Sequence, residues 1–144
     1  MSEQITINRQ IVHQFIAQCW NQKNLNSIEQ LLSNDYVDHA YQPANQAGLI
    51  ATLEQLGRSF PDHQQHILQT VAEADRVVLQ VRFRATHLGE FRGIAPTGQT
   101  VDVAVYRMYR LAQGRIAEHW ALFDTAGLFQ QLQVSLDGQK ACQR

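Results

Sequence analysis

The sequence has few cysteines, little net charge and no long apolar run, and each shortage excludes a class of protein. Its two cysteines, Cys19 and Cys142, lie far apart and form no CxxC pair, metal spacing or disulfide framework. The 12 lysines and arginines nearly balance the 13 acidic residues, so a net charge of -1 offers no basic surface to nucleic acid or membrane. The start MSEQITINRQ is polar, and no apolar run approaches the roughly 18 to 20 residues that span a bilayer. We therefore expect a cytoplasmic protein.

Histidine is more plentiful, but its spacing does not indicate a metal site. None of the six histidines lies in an HExxH pattern, and the closest pair, His63 and His66, is separated only by glutamines. The sequence therefore predicts no metal site.

The spacing of apolar residues predicts a helical first half and a strand-rich second half. Apolar residues three and four positions apart predict helices over 8–21, 25–34 and 49–60, the last ending at Pro61. Runs of Val, Leu, Phe, Tyr and Ile predict antiparallel strands over 66–72, 76–87, 100–112 and 115–123, before a short helix over 125–133. The segment 35–41 is predicted to connect the second and third helices.

Helices followed by strands indicate one α+β domain, in which a curved antiparallel sheet wraps around the N-terminal helices. We expect this domain to span residues 1–134. The polar end, 135–144, has little to bury and is expected to be mobile.

The strand sequence RIAEHWALFD, residues 115–124, carries the first candidate functional groups. Side chains alternate across a strand, so His119, Ala121 and Phe123 share one face and Asp124 lies on the other. The hairpin at Gly114 predicts that Val105, Arg107 and Tyr109 join the His119 face, and Tyr106 and Met108 the Trp120 face. Both faces carry large apolar groups, which predicts that a second subunit covers one of them in a homodimer or larger assembly.

Two stretches carry a family resemblance, THLGEFRGIAPTGQTV at 86–101 and RIAEHWALFDTAGLFQQL at 115–132, with weaker support from DYVDH. The chain resembles the SnoaL-like polyketide cyclases of the nuclear transport factor 2-like superfamily, which have a cone-shaped α+β fold. The resemblance implies ring closure on a small carbonyl compound without a metal or organic cofactor. It also implies a catalytic aspartate two residues after the histidine and a histidine on the preceding strand. Ala121 and Arg107 occupy those two positions here.

The remaining groups define the candidate site. We predict His119 and Arg107 as catalytic residues, with His119 as the proton carrier and Arg107 as the cation that stabilises negative charge on oxygen. His39, His87, Tyr109, Phe123 and Asp62 are the candidates for the pocket lining, with Tyr41 and Trp20 as further aromatic candidates. His119 is alternatively a core histidine, His87 an anchor of the following loop, His39 a surface residue, and Asp62 or Glu118 a partner of Arg107.

Asp124 has two interpretations. It precedes a predicted helix and therefore fits a helix cap, with acid or base catalysis as the other possibility. The sequence thus predicts a small-molecule enzyme of the cyclase, isomerase or hydratase kind. The alternative is a binding or accessory module of the same fold that lacks the catalytic carboxylate.

Overall fold

The computed structural model describes residues 2–133, so the predicted mobile end at 135–144 lies outside the described residues. The helices are α1 (Glu3–Phe15), which continues into a π-helical turn (Ile16–Asn21), α2 (Asn26–Leu31), α3 (Gln46–Ser59) and α4 (Thr125–Gln131). The strands are β1 (Leu32–Asp38), β2 (Gln64–Glu73), β3 (Arg76–Thr86), β4 (Thr100–Ala112) and β5 (Arg115–Phe123). None of the helices described is long and apolar enough to cross a membrane.

The predicted α+β fold is confirmed, with one correction to the sheet. The strand order is β1-β5-β4-β3-β2, and the pairs formed by β2 to β5 are antiparallel, as predicted. β1 was not predicted, and it pairs with β5 in parallel, so the sheet is mixed. The second helix accordingly ends at Leu31 rather than near residue 34, because the chain turns extended at Leu32 to join the sheet.

The core lies between the helices and the inner face of the sheet. On β3 the side chains of Val77, Leu79, Val81 and Phe83 are fully buried, whereas their neighbours are only partly buried or exposed. The helices contribute the apolar stripe that the sequence predicted, including Phe15, Trp20 and Leu49. This two-layer arrangement brings the inner faces of β4 and β5 against the helices.

The loop between β3 and β4 is fastened to the end of α3. The Leu88 and Gly89 amides both donate to the Ser59 carbonyl at 3.0 Å, and the Ser59 hydroxyl donates to the Glu90 carbonyl at 2.6 Å. A Cβ at Gly89 would lie 2.0 Å from the Arg58 carbonyl oxygen, so only glycine permits this close approach. The loop is therefore held over one end of the helical layer.

Candidate functional site

A recessed cavity of about 280 Å³ lies between the inner face of the sheet, α3 and the loop that follows β3. Its apolar wall includes Leu56, Phe91, Val105, Phe123 and Leu128, and its polar wall includes Tyr41, Gln65 and Arg107. Ala121, directly opposite Arg107 in the β4–β5 register, also lines it. The cavity is therefore apolar on most sides with a small group of hydrogen-bond donors at one end.

Arg107 is the buried cation of this polar end. Its side chain is 2% exposed, and its guanidinium carbon lies 4.3 Å from the Trp20 ring centroid. Its Nε donates to Gln65 Oε1 at 3.1 Å, and its Nη1 to the Tyr41 hydroxyl and to His119 Nε2, both at 3.2 Å. Nη2 has no protein acceptor among residues 2–133, which leaves its two N–H groups available to a ligand.

Gln65 presents a second donor at the same end. Because arginine only donates, the Gln65 oxygen must face Arg107, and its amide nitrogen is then buried without a partner. The Gln65 backbone is fixed by the side chain of Asn21, which accepts from the Gln65 amide at 2.7 Å and donates to its carbonyl at 2.9 Å. A buried donor without a protein partner is costly, and the Gln65 side chain is held in this position by its bond to Arg107 and by Asn21.

Behind Arg107 lies a buried histidine–aspartate pair. His119 and Asp38 are 1% and 0% exposed, and His119 Nδ1 lies 3.0 Å from Asp38 Oδ1. Asp38 also accepts from the Tyr36 hydroxyl at 2.5 Å and from the Ala40 amide at 3.0 Å. The parallel pairing of β1 with β5 places Asp38 opposite His119. This carboxylate is the counter-charge that a buried arginine requires.

The hydrogen bonds fix the protonation of the three groups. Arg107 can only donate to His119 Nε2, so the ring proton lies on Nδ1 and is donated to Asp38. Burial lowers the pKa of His119, against the opposing effect of Asp38, so its ring is neutral near pH 7. Burial disfavours the Asp38 carboxylate, but the bonds from His119, Tyr36 and Ala40 lower its pKa overall. The three side chains therefore form a hydrogen-bonded series, from the Arg107 cation through the neutral His119 ring to the Asp38 carboxylate.

Aromatic rings pack against the Arg107–His119–Asp38 side chains. Tyr109 stacks on His119 with centroids 4.8 Å apart, and Trp20 packs against Arg107 from the π-helical turn. A π-helical turn displaces one residue from the usual helical positions and is frequent at functional sites. The rings exclude water from the Arg107–His119 contact, which strengthens its electrostatics.

A family model described as SnoaL-like polyketide cyclase matches residues 10–132. The chain belongs to the SnoaL-like polyketide cyclase family. Of the solved structures, AclR, "a putative hydroxylase from Streptomyces galilaeus", is 30% identical over 90% of this chain and 86% of its own, with a TM-score of 0.80. IdmH, "a putative polyketide cyclase from Streptomyces antibioticus", is 25% identical over 88% of this chain and 99% of its own, with a TM-score of 0.79.

Other matches show the fold alone. TsrD from Streptomyces laurentii is 21% identical over 92% of this chain and 97% of its own, with a TM-score of 0.79. No curated protein matches this sequence.

This SnoaL-like domain brings four of the predicted site residues together. Arg107 and Phe123 line the cavity, and His119 and Tyr109 lie behind Arg107. The predicted pairing of faces is confirmed, since Arg107 lies opposite Ala121 and Tyr109 opposite His119. Neither Asp62 nor Glu118 contacts Arg107, so the expectation that one of them is its partner is wrong: Asp38 supplies the charge through His119.

The other three candidates lie elsewhere in the SnoaL-like domain. His39 is on the opposite face of the sheet, where it stacks on Trp120 at 4.7 Å and bonds to Glu118 at 2.9 Å. Asp62 accepts from the Thr86 amide and hydroxyl in a surface depression. His87 is fully buried, and its Nδ1 accepts from the Thr97 amide at 3.2 Å, which anchors the loop after β3.

Asp124 begins the last helix. Its Oδ1 accepts from the Gly127 amide at 2.9 Å, and Asp124 is the residue that precedes α4. The predicted capping role is confirmed, and the carboxylate does not line the cavity.

Sequence reasoning missed Asp38 and Gln65. Within the sequence DYVDH only His39 was predicted to line the pocket, although Tyr36 and Asp38 are two residues apart and share a face of strand β1. For Gln65 no local signal exists, because β2 begins two residues earlier than its apolar run predicts. Among residues 2–133, no three His, Cys, Asp or Glu side chains are grouped so as to hold a metal.

Proposed function

We propose that this protein is a small-molecule enzyme of the cyclase, isomerase or hydratase kind, which transfers a proton at a carbonyl compound without a cofactor. The observation that carries the proposal is the donor group at the end of the apolar cavity. The hydrogen bonds of Arg107 to described residues use Nε and Nη1, so Nη2 remains for a ligand, and the Arg107 and Gln65 side chains both line the cavity. A fixed donor in a largely apolar cavity stabilises negative charge that develops on a substrate oxygen.

The individual roles follow from which atoms reach the cavity. Arg107, oriented by Gln65 Oε1, would bind the carbonyl oxygen and stabilise the enolate, and the α proton would pass to water at the open side of the cavity, since no carboxylate or histidine of the described residues lines it. His119 does not line the cavity, and its Nε2 accepts from Arg107, so it serves together with Asp38 to position the guanidinium. Tyr41 lines the cavity and accepts from Arg107 at 3.2 Å, so its own proton is free to be donated to the substrate.

One observation favours a second candidate function, a binding module of the same fold. None of the described residues that line the cavity carries a carboxylate, and the family resemblance implies that Ala121 stands in the place of the catalytic aspartate. A ligand oxygen could still be bound by Arg107 without proton transfer. This module would bind the same class of molecule and leave it unchanged.

Hydrogen exchange of an enolisable ketone separates the two functions. We expect the enzyme to accelerate exchange of the α hydrogens of phenylacetone, a ketone with a single ring, in deuterated buffer, followed by NMR. Arg107→Gln should abolish the acceleration, and Tyr41→Phe should reduce it by about 100-fold, in the range that a positioned proton donor contributes. Binding of the ketone without exchange above the buffer rate would refute the enzyme and support the module.

Self-association forms part of the proposal. The outer face of β4 and β5 exposes Leu122 by 80% and Tyr106 by 48%, beside an apolar depression of about 410 Å³ lined in part by Met108 and Trp120. An apolar patch of this kind on a sheet face suits a second copy of the chain, related by two-fold symmetry. Light scattering coupled to gel filtration should therefore give the mass of a dimer.

A further inference from the structure

The loop between β3 and β4 forms one side of the cavity through Phe91. The Phe91 side chain lines the cavity and is 6% exposed. Its ring centroid lies 5.3 Å from that of Phe60, at the end of α3, and 6.3 Å from that of Phe129 on α4. This wall is therefore present while the loop packs against the two helices, and a displacement of the loop would open the cavity on that side.

The first arm of this loop is held by groups that do not titrate. The Leu88 and Gly89 amides bond to the Ser59 carbonyl, and the Ser59 hydroxyl bonds to the Glu90 carbonyl. These bonds join uncharged groups, so they do not change with pH near neutrality. Residues 88–90 therefore form a fixed base for the part of the loop that follows.

The second arm is bound to a titratable group, His87. The Thr97 amide donates to His87 Nδ1 at 3.2 Å, and the Thr97 hydroxyl lies 3.0 Å from the same nitrogen. An imidazole nitrogen that carries a proton cannot accept a hydrogen bond, so the bond from the Thr97 amide requires an unprotonated Nδ1. The closed loop thus contains a neutral His87 ring with its proton on Nε2.

The closed loop also excludes water from this ring. His87 is 0% exposed, and its ring centroid lies 5.4 Å from that of Phe60. Burial lowers the pKa of His87, against the opposing effects of the Gly89 carbonyl and the Glu90 carboxylate. In an opened loop the ring would meet water, where the pKa of a histidine is near 6.5. Proton uptake therefore favours the open loop increasingly as the pH falls below about 6.5.

The charged groups around His87 do not reverse this sign. Glu90 favours the protonated ring, but burial outweighs it, since the pKa of His87 stays below its ordinary value. The other charged or titratable residues on the elements packed against His87 do not contribute to the shift; they are Arg58 on α3, Asp62 and His63 after α3, Arg92 on the loop and Asp102 on β4.

We propose that His87 is a pH-sensitive latch for the cavity: the neutral ring holds Thr97 and keeps Phe91 in the cavity wall, and the protonated ring releases both. This inference goes beyond the proposed function, because the latch controls access to the cavity whether its ligand is transformed or only bound. The cavity would then be closed near neutral pH and open in mild acid.

Hydrogen exchange of single amides tests the latch. In the unsubstituted protein the protection of the Thr97 amide should fall by up to about eightfold between pH 7 and 5.5, the limit for a group of pKa near 6.5 that the closed loop keeps unprotonated. His87→Gln supplies an acceptor that does not titrate, so the protection of Thr97 should become independent of pH. The matched control is His66→Gln, at an exposed position of β2, which should retain the fall.

A fall of less than about twofold, or one that His87→Gln retains, would overturn the latch. If His87→Gln does not fold, an NMR titration of the unsubstituted protein decides. The His87 ring and the Thr97 amide should then change with one midpoint below pH 6.5, and a ring that takes up its proton while Thr97 stays protected would refute the proposal.

The opening of the cavity has its own measurement. A soluble nitroxide broadens the signals of exposed rings, so broadening of the Phe91 ring signals should increase between pH 7 and 5.5 in the unsubstituted protein and not in His87→Gln. Phe91 signals that stay sharp while Thr97 loses its protection would show that the latch does not control the cavity, and would overturn the proposal.

Discussion

Two series of hydrogen-bonded polar side chains run from β4 across β5 to the end of β1, one on each face of the sheet. The inner series is Arg107–His119–Asp38, with contacts of 3.2 and 3.0 Å. The outer series is Arg110–Glu118–His39, in which Glu118 contacts the arginine and lies 2.9 Å from the histidine. Each series contains one arginine, one histidine and one carboxylate, and the two differ in burial and in order.

Burial gives the two series different physical roles. The members of the inner series are at most 2% exposed, whereas the side chains of the outer series are 23 to 39% exposed. In water the outer charges are solvated separately and interact weakly. In the buried set each charge is stabilised only by its hydrogen-bond partners. The neutral His119, between the Arg107 cation and the Asp38 carboxylate, keeps the guanidinium directed toward the cavity. Composition alone therefore does not identify a site, because an arginine, a histidine and a carboxylate form a surface network on one face and a candidate active centre on the other.

The largest predicted effect is the loss of the inner carboxylate. Asp38→Asn leaves Arg107 buried without a counter-charge, so we expect the free energy of unfolding to fall by about 3 to 5 kcal/mol. Urea denaturation followed by circular dichroism measures this change. A loss below about 1 kcal/mol would show that Arg107 does not depend on Asp38 and would remove the contrast between the two faces.

The next largest expected effect is a pH dependence of the free energy of unfolding, which arises from buried histidines on the inner side of the sheet. Burial lowers the pKa of His63 to about 4, where its ring stacks on Phe83 with centroids 5.7 Å apart. In the unfolded protein the pKa of a histidine is near 6.5, so between pH 6.5 and 4 the unfolded state binds a proton that the folded state excludes. The stability that the neutral ring contributes is therefore fully present above pH 6.5 and is lost as the pH falls toward 4. His119 acts in the same direction.

We expect the protonation of His63 to lower the free energy of unfolding by roughly 3 kcal/mol between pH 6.5 and 4. His63→Leu should flatten the slope, measured by urea denaturation at several pH values, while the matched change His66→Leu on the exposed side should leave it unaltered. A slope that His63→Leu does not change would contradict a buried, neutral His63.

The outer side chains, Arg110, Glu118 and His39, are expected to contribute little to the stability of the protein. Glu118→Gln removes the charge that joins Arg110 and His39, and we expect the free energy of unfolding to change by less than about 1 kcal/mol. The measurement is the same as for Asp38→Asn, which makes the two variants direct controls for each other. A loss as large as that of Asp38→Asn would mean that the outer face is buried in the native assembly.

The smallest effect on the folded monomer is expected at the outer apolar patch. Leu122 is 80% exposed, so Leu122→Asp should change the stability of one chain by less than about 0.5 kcal/mol. If a second copy covers this face, the same change should convert the dimer to a monomer in sedimentation velocity experiments. A dimer that persists in Leu122→Asp would place the interface elsewhere.

The sequence predicted the features that depend on nearby residues. The β4–β5 hairpin is closed by a short turn, so its register follows from counting, and the common face of Arg107, Tyr109 and His119 was predicted correctly. The cap at Asp124 was predicted for the same reason, since its hydrogen bond joins residues three positions apart.

The features that the sequence did not reveal depend on distant contacts. β1 has only three buried positions and no regular alternation, and its pairing with β5 joins Asp38 to His119 across 81 positions. Gln65 reaches Arg107 across 42 positions. No pattern within one segment specifies such contacts, which is why the sequence predicted Asp62 or Glu118 as the partner of Arg107.

The central claim is that a neutral His119, protonated on Nδ1 toward Asp38, accepts a hydrogen bond from Arg107 and so holds the guanidinium at the cavity. Nitrogen-15 NMR of the histidine rings near pH 7 tests it most directly, with His119 assigned by comparison with His119→Gln. We predict a neutral ring with the proton on Nδ1 and an unprotonated Nε2. A doubly protonated ring, or a neutral ring with its proton on Nε2, would contradict the account, because Nε2 could then accept no hydrogen bond from Arg107.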